Sequence, residues 1–400
     1  MTDPAATSSA TPWPFPHARK IGDTVYVGLQ VTADPGADPS IEAHTHQAFQ
    51  QLIAAIENQG LKMADLMKLH TYYPYDGEGT DVTSYWERMT AVRLQYLANP
   101  GPAATALRVG GVCPKGPLIG VDGIAHGTAG RVRIMPEHAW DWSVPTPFSQ
   151  GWLVDDKVYV GGQISADRAG RAVSPGELVP QVGNTLEFIR HVLKDAGASW
   201  EDVVSIKVAY KCSRNDARSR ATLAGILEQM NAVFPTTKPA LVCFGVDLLY
   251  EGLLLEIDAL AVKGGNKTAL SPASGAAWAG SADGYPAAWQ AGNELFIGGQ
   301  AAPAAGSLQA QTQASLQQIA GLLKQAGGEP GDLVKLNVYY HDDDPAADAA
   351  TALSLIRDTL AKALEPGRTV VSIVEVPGLM MPGQKIQIDG VAVLGQSARR

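Results

Sequence analysis

Long apolar runs are absent from this 400-residue sequence. The longest, such as Leu248 to Leu255, are interrupted and too short to cross a bilayer as a helix. Cysteine is scarce: Cys113, Cys212 and Cys243 form no paired framework and no CxxC, so no disulfide scaffold is expected. Charge is sparse, with 18% charged residues and a net charge of -9. There is no run of like charges and no basic patch, which argues against nucleic-acid binding driven by phosphate neutralisation. The opening stretch MTDPAATSSATPWP lacks the basic and apolar regions of a signal peptide. These absences predict a soluble, reduced, cytoplasmic protein without a membrane or nucleic-acid partner. What is present, 46% hydrophobic residues, supplies ample core for a folded chain.

The sequence repeats itself. Val25-Tyr26-Val27-Gly28-Leu29-Gln30 returns as Val158-Tyr159-Val160-Gly161-Gly162-Gln163 and as Leu295-Phe296-Ile297-Gly298-Gly299-Gln300. The segment from Asp65 to Tyr73 returns from Asp202 to Tyr210 and from Asp332 to Tyr340. Val121-Asp122-Gly123-Ile124-Ala125 returns as Ile257-Asp258-Ala259-Leu260-Ala261 and as Ile388-Asp389-Gly390-Val391-Ala392. Three markers recur in one order at a spacing of roughly 130 residues, which is the size of a domain and not of a solenoid repeat.

Each copy reads alike. The first marker is β-branched and aromatic and predicts a strand. Apolar residues at helical spacing follow, for example Val182, Leu186, Ile189 and Val192 in copy two. Each such helix ends near a glycine (Gly60, Gly197, Gly327), as a C-terminal cap would. The second marker alternates apolar and polar, predicting a half-buried strand, and a second helix is expected near 83–98, 216–233 and 347–364. The predicted domains span 13–134, 146–263 and 283–395, joined by loop-like linkers at 135–145 and 264–280. A sheet with helices on one face needs a cover for the other. Three copies can supply it by closing around a pseudo-threefold axis, sheets inside and helices outside. A compact monomer or a homodimer is then expected, not a homotrimer.

Copy two carries a family resemblance. Pro147-Phe148-Ser149-Gln150, Val158 to Ile164, Asp202-Val203-Val204, Lys238-Pro239-Ala240 and Glu256 to Ala261 resemble the signature of the RidA/YjgF family of enamine and imine deaminases. The resemblance implies an α/β (α+β) fold of three tandem RidA-like, chorismate-mutase-like domains. It also implies cofactor-free hydrolysis of imines or enamines in clefts between subunits, here between copies. The family pattern has an Arg that holds the substrate carboxylate, sometimes a Cys two residues later, a Glu that positions water, and a Tyr near the N-terminus. By this resemblance the Arg position is Ala104, Leu241 and Arg368 in the three copies, and the Cys position is Ala106, Cys243 and Val370. The Glu position is Gly120, Glu256 and Gln387, and the Tyr position is Phe15, Phe148 and Tyr285. Glu256 and Cys243 are therefore the catalytic candidates, with Arg368, Tyr285, Gly161 and Gly298 expected at the substrate.

The residues themselves bear on this. Glu256 lies in the apolar stretch Leu253 to Ile257, where desolvation should raise its pKa toward acid–base range. A guanidinium such as that of Arg368 grips a carboxylate at two points. A buried structural thiol is the commoner state of a residue such as Cys243. Asp122, Asp258 and Asp389 persist in every copy, which favours a structural role. His44, His46, His70 and His126 lack the spacing of a metal site, and no metal is expected. The glycine-rich run Val109 to Gly116 lacks phosphate-loop spacing. A cofactor-free C–N hydrolase acting on a small nitrogenous carboxylate is the leading expectation. Two alternatives stand beside it. One is a cyclic-amide hydrolase of the barbiturase and cyanuric acid hydrolase type, which also builds one chain from three related domains but uses Ser–Lys pairs. The other is a non-catalytic binding or scaffold pseudo-trimer.

Overall fold

The computed structural model describes residues 13–77, 80–213, 215–234, 237–272, 284–341 and 349–396. The expected boundary at 283, residues 273–280 of the second linker and residues 347–348 of the last helix lie outside them. Copy one comprises β1 (Ala18–Ile21), β2 (Thr24–Val31), α1 (Ile41–Glu57), β3 (Leu66–Pro74), α2 (Thr80–Arg93), β4 (Ala103–Val109), the two-residue β5 (Gly111–Val112), β6 (Gly120–His126) and β7 (Arg131–Ile134). Copy two comprises β8 (Gly151–Val154), β9 (Lys157–Gln163), α3 (Leu178–Asp195), β10 (Val203–Lys211), α4 (Ala217–Val233), β11 (Ala240–Val246) and β12 (Leu255–Val262). Copy three comprises β13 (Lys267–Leu270), β14 (Ala288–Ala291), β15 (Glu294–Gln300), α5 (Leu308–Gln325), β16 (Leu333–Tyr340), α6 (Ala349–Ala363), β17 (Val370–Glu375) and β18 (Ile386–Val393).

One strand order recurs. The sheets contain β1-β2-β6-β3-β4, β8-β9-β12-β10-β11 and β14-β15-β18-β16-β17, with the last pair parallel each time and bridged by the second helix. Edge strands are exchanged. β7, from the end of copy one, pairs with β8 and extends the second sheet, while β5 pairs with β17 of the third. The linker read as loop from 264 contains β13, which pairs with β14. The first helices end as expected, with Gly60, Gly197 and Gly327 at φ of 79°, 68° and 77° just beyond them. Helix α2 stops at Arg93, short of the expected 98.

The three sheets meet in a cycle: β4 packs on β9, β11 on β15 and β17 on β2. Glycine is required at each seam. A Cβ on Gly28 would lie 3.0 Å from the Val371 carbonyl oxygen, on Gly161 3.2 Å from that of Ala104, and on Gly298 3.0 Å from that of Leu241. In copy one, Val25, Val27, Leu69 and Val121 pack under Phe49, Leu52, Trp86 and Met89 of the helices. The strands expected to be half-buried are covered on both faces: every residue of Leu66–Tyr73 and of Leu333–Tyr340 is buried. Their polar residues face the axis, where they pair across copies. Lys68 bonds Asp258 at 3.0 Å, Lys207 bonds Asp389 at 3.2 Å and Lys335 bonds Asp122 at 3.3 Å, so each copy's lysine holds the next copy's aspartate. His70 stands between Asp122 (3.0 Å) and Asp258 (3.1 Å). The recurring aspartates thus accept side-chain hydrogen bonds along the seam of the pseudo-trimer.

Because these faces are covered within one chain, light scattering should give a 42.1 kDa particle or twice that mass. An obligate three-chain particle would contradict this arrangement.

Candidate active site

The register along each seam decides which residues meet. Strand pairing sets Leu69 beside Ala104, Ile206 beside Leu241 and Leu336 beside Val371. The third Arg position is therefore Val371 and not Arg368, and the third Cys position is Ile373 and not Val370. Arg368 follows a turn in which Gly367 has φ 73°, so Pro366-Gly367-Arg368 resembles Pro239-Ala240-Leu241 in its spacing from a proline without entering the strand. Its side chain lies 3.9 Å from Glu365 and donates to the Gln396 carbonyl at 3.2 Å, while its own carbonyl accepts from Arg19 of copy one.

The cyclic packing also separates Glu256 from Cys243. Glu256 faces β4 of copy one, whose Ala106 amide donates to the carboxylate. Cys243 faces copy three, where its carbonyl accepts from Gln387 Nε2 at 3.1 Å. Gln387, Cys243, Leu241 and Tyr285 are all buried at the seam between copies two and three. Gly161 and Gly298 do not offer their amides to a ligand. They donate instead to the carbonyls of Gln150 at 2.8 Å and Ala287 at 2.9 Å, and their bare Cα atoms admit the neighbouring backbone.

A paired choice of residues distinguishes the three clefts. Between copies one and two, Gly162 makes room for Glu256, since a Cβ there would collide with the carboxylate. Between copies two and three, Gly299 makes the same room for Gln387. Between copies three and one the pair is reversed: Leu29 takes the space, and a Cβ on Gly120 would lie 2.8 Å from Leu29 Cδ1. At this position, among the described residues, a carboxylate stands only in the cleft between copies one and two.

That cleft holds a second charged group. Arg93, on the last turn of α2, is 1% exposed, lines the same cavity as Glu256, and lies with its guanidinium carbon 4.8 Å from the Phe148 ring centre. Its Nε, Nη1 and Nη2 have no hydrogen-bond partner among the described residues. Burial pulls its pKa down to about 10. The cavity between Arg93 and Glu256 is narrow, about 40 Å³, with Ala104 and Ala106 as floor and Trp86, Trp140 and Trp142 as walls. Glu256 is half-buried and lines this cleft. Desolvation, reinforced by the charge of Asp258, pushes its pKa up to about 8. Behind Glu256 a void of about 10 Å³, room for a single water, separates it from His70, Lys207 and Tyr339.

Sequence reasoning missed Arg93 because the family pattern seeks the arginine on the strand. The signal available was a lone Arg at the inward position of a helix whose other inward residues are Val82, Trp86 and Met89. Two further histidines are tied into the fold. His44 Nδ1 accepts from the Leu118 amide at 2.9 Å, and His126 meets the Tyr159 hydroxyl at 2.9 Å.

The family model described as Endoribonuclease L-PSP matches residues 142–263 and 277–394, more than half of the chain. Curated relatives are single-domain sized. A RutC family protein of Pyrococcus abyssi is 33% identical over 117 residues, 29% of this chain and 87% of its own. A protein of Bos taurus named 2-iminobutanoate/2-iminopropanoate deaminase is 32% identical over 123 residues, 31% of this chain and 85% of its own. Among solved structures, a chorismatase matches with a TM-score of 0.54 over 91% of this chain and 97% of its own at 12% identity, a likeness of fold.

Proposed function

The chain belongs to the endoribonuclease L-PSP (RidA/YjgF) family, and from that membership we propose that it is a cofactor-free C–N hydrolase. Its site is the cleft between copies one and two, and its substrate is a small imino or enamino carboxylate. The observation that carries this reading is Arg93. A fully buried guanidinium without a hydrogen-bond partner is costly to the fold, and among the described residues the Phe148 ring, 4.8 Å away, offsets only part of that cost. A bound carboxylate would offset the rest with two parallel charge-assisted hydrogen bonds. The named activity of the bovine relative, an imino-acid deaminase, is in keeping with such an acid. The narrow cavity suits a substrate of few atoms.

The chemistry follows from the two groups. With Arg93 on the carboxylate, the imine carbon lies toward Glu256. A carboxyl whose pKa is about 8 is largely protonated at neutral pH and can give its proton to the imine nitrogen. Water then adds to the carbon, and the Glu256 carboxylate takes the proton that water loses. The resulting carbinolamine breaks its C–N bond as nitrogen receives that proton from Glu256 and the hydroxyl returns its own proton to the Glu256 carboxylate, leaving a ketoacid and ammonia with Glu256 protonated again.

Arg93→Met tests the anchor. It removes the fork at similar length, so KM for imino acids should rise on the order of 10²-fold while fold stability rises, because an uncompensated buried charge is gone. The assay couples freshly generated imino acids to ammonia release, beside thermal melts. Unchanged KM together with lowered stability would make Arg93 a structural residue and favour the scaffold alternative.

A further inference from the structure

The cavity between Arg93 and Glu256 measures about 40 Å³, room for about three waters and fewer than the heavy atoms of the smallest imino acid. A wall must therefore yield to let a substrate in. Trp86 and Arg93 are fixed on α2, Ala106 on β4 and Gly162 on β9. The walls outside helices and strands include Trp142, in the linker between copies one and two, and Tyr250, in the connection from β11 to β12. We propose that residues 142–146 of the linker are a gate over this cleft, with Trp142 as its plug and the Tyr250 hydroxyl as its latch, and that Trp142 thereby sets the size of the substrate admitted. The identity of what passes rests on the hydrolase reading; the gate does not.

The segment is anchored at both ends and nearly free between them. Before it, Trp140 is 5% exposed; its indole Nε1 donates to Gln163 Oε1 at 3.2 Å and its carbonyl accepts from Gln150 Nε2 at 2.7 Å. The Asp141 amide donates to the Asp167 carbonyl at 3.3 Å. After it, the Pro147 carbonyl accepts from the Gly101 amide at 2.7 Å, and Arg133 donates to the Phe148 carbonyl at 2.6 Å. Between these anchors, among the described residues, one group bonds the segment to the rest of the fold. The Ser143 amide donates to the Tyr250 hydroxyl oxygen at 3.4 Å, and that hydroxyl donates to Ser143 Oγ at 3.0 Å. Trp142 is half-buried, and its side chain is held by ring contacts, its centre 4.9 Å from that of Trp140 and 5.5 Å from that of Phe148. Phe148 is the ring on which the Arg93 guanidinium lies, so lifting Trp142 uncovers the support of the substrate anchor. Closure also carries a cost. Thr146 Oγ1 is buried without a partner, which opening to water relieves. A half-buried plug, a single latch and an unmet hydroxyl bring the open form within reach of the closed one, as a gate requires.

The full chain labelled with 5-fluorotryptophan tests the gate without turnover. Trp86→Phe, Trp140→Phe and Trp142→Phe assign the three fluorine resonances. Relaxation dispersion should show microsecond-to-millisecond exchange at Trp142, with Trp86 and Trp140 free of it. Tyr250→Phe removes both latch bonds and keeps the ring, and should raise the open population at least about 3-fold. Exchange absent at Trp142 in both proteins, or shared equally by all three tryptophans, would overturn the gate, and an unchanged population in Tyr250→Phe would remove the latch. The plug is tested by hydrolysis of the freshly formed imines of alanine and phenylalanine. Trp142→Ala should raise kcat/KM for the phenylalanine imine relative to the alanine imine at least about 10-fold, with thermal melts confirming the fold. An unchanged ratio would overturn the role of Trp142 in selection. Absence of turnover in every protein would end the hydrolase reading, and the gate would then stand or fall on the fluorine exchange alone.

Discussion

Glu256→Gln is expected to lower kcat/KM for imino-acid hydrolysis by roughly 10²–10⁴-fold, the range for removing a general acid–base group. The amide keeps the shape that Gly162 accommodates and the contact to the Ala106 amide, so the cleft should persist. Two accompanying readouts identify the cause. In wild type, kcat/KM should fall as pH rises through about 8, where the Glu256 carboxyl loses the proton it must donate. The variant's residual rate should lack that limb. Stability should move the opposite way. A carboxyl whose pKa is raised by the fold stabilises below its unfolded value, near 4.5, and that contribution is lost as pH climbs toward 8. Glu256→Gln should therefore melt higher than wild type at pH 8 and similarly at pH 4. Full activity in the variant, with the alkaline limb unchanged, would remove Glu256 from the mechanism.

The sequence made the architecture legible because repetition is a global signal: three markers in one order specify three copies of one strand order. It could not reveal which copy faces which. Arg and Glu were compared within copies, whereas cyclic packing brings the Glu position of each copy against the Arg position of the one before. Ala104, not Leu241, stands opposite Glu256. The exchange of Leu29 with Gly120 was present in the sequence but carries no meaning until β2 and β6 are known to be neighbours. Arg368 illustrates a local signal overruled by register. Pro366-Gly367-Arg368 resembles Pro239-Ala240-Leu241 in its spacing from a proline, yet Gly367 is in a turn and the strand starts at Val370. Arg93 was hidden for the opposite reason. A helix arginine is ordinarily solvated, and only the cleft shows this one to be enclosed. The edge exchanges of β5, β7 and β13 rest on pairing between copies, which no periodicity within a copy reports.

Asp258→Asn should destabilise the protein by about 3–5 kcal/mol at pH 7, measured by urea unfolding, because it removes one partner of a buried ion pair. Lys68 would retain its charge in a site 5% exposed, and His70 would lose one of its two carboxylates. Asparagine can still accept from the Thr105 hydroxyl, now 2.9 Å from Asp258, but it cannot neutralise the lysine. The acid side gives the sign. Lys68 and His70 hold the Asp258 carboxyl far below the usual carboxylate range. Its stabilisation is complete above the unfolded value near 3.8 and is lost as pH falls below it. Wild type should thus lose stability on acidification more steeply than the variant, and the two curves should converge at low pH. The same substitution reaches the proposed site, since Glu256 is two residues away. The Asp258 charge helps keep Glu256 protonated, so the alkaline limb of hydrolysis should shift to lower pH in Asp258→Asn. Asp389→Asn breaks the corresponding pair with Lys207 on the other side of the axis and should also destabilise, but with the alkaline limb in place. If both variants moved the limb equally, the axial charges would act on Glu256 through global loosening. A shift confined to Asp258→Asn would tie the proton on Glu256 to the one aspartate beside it.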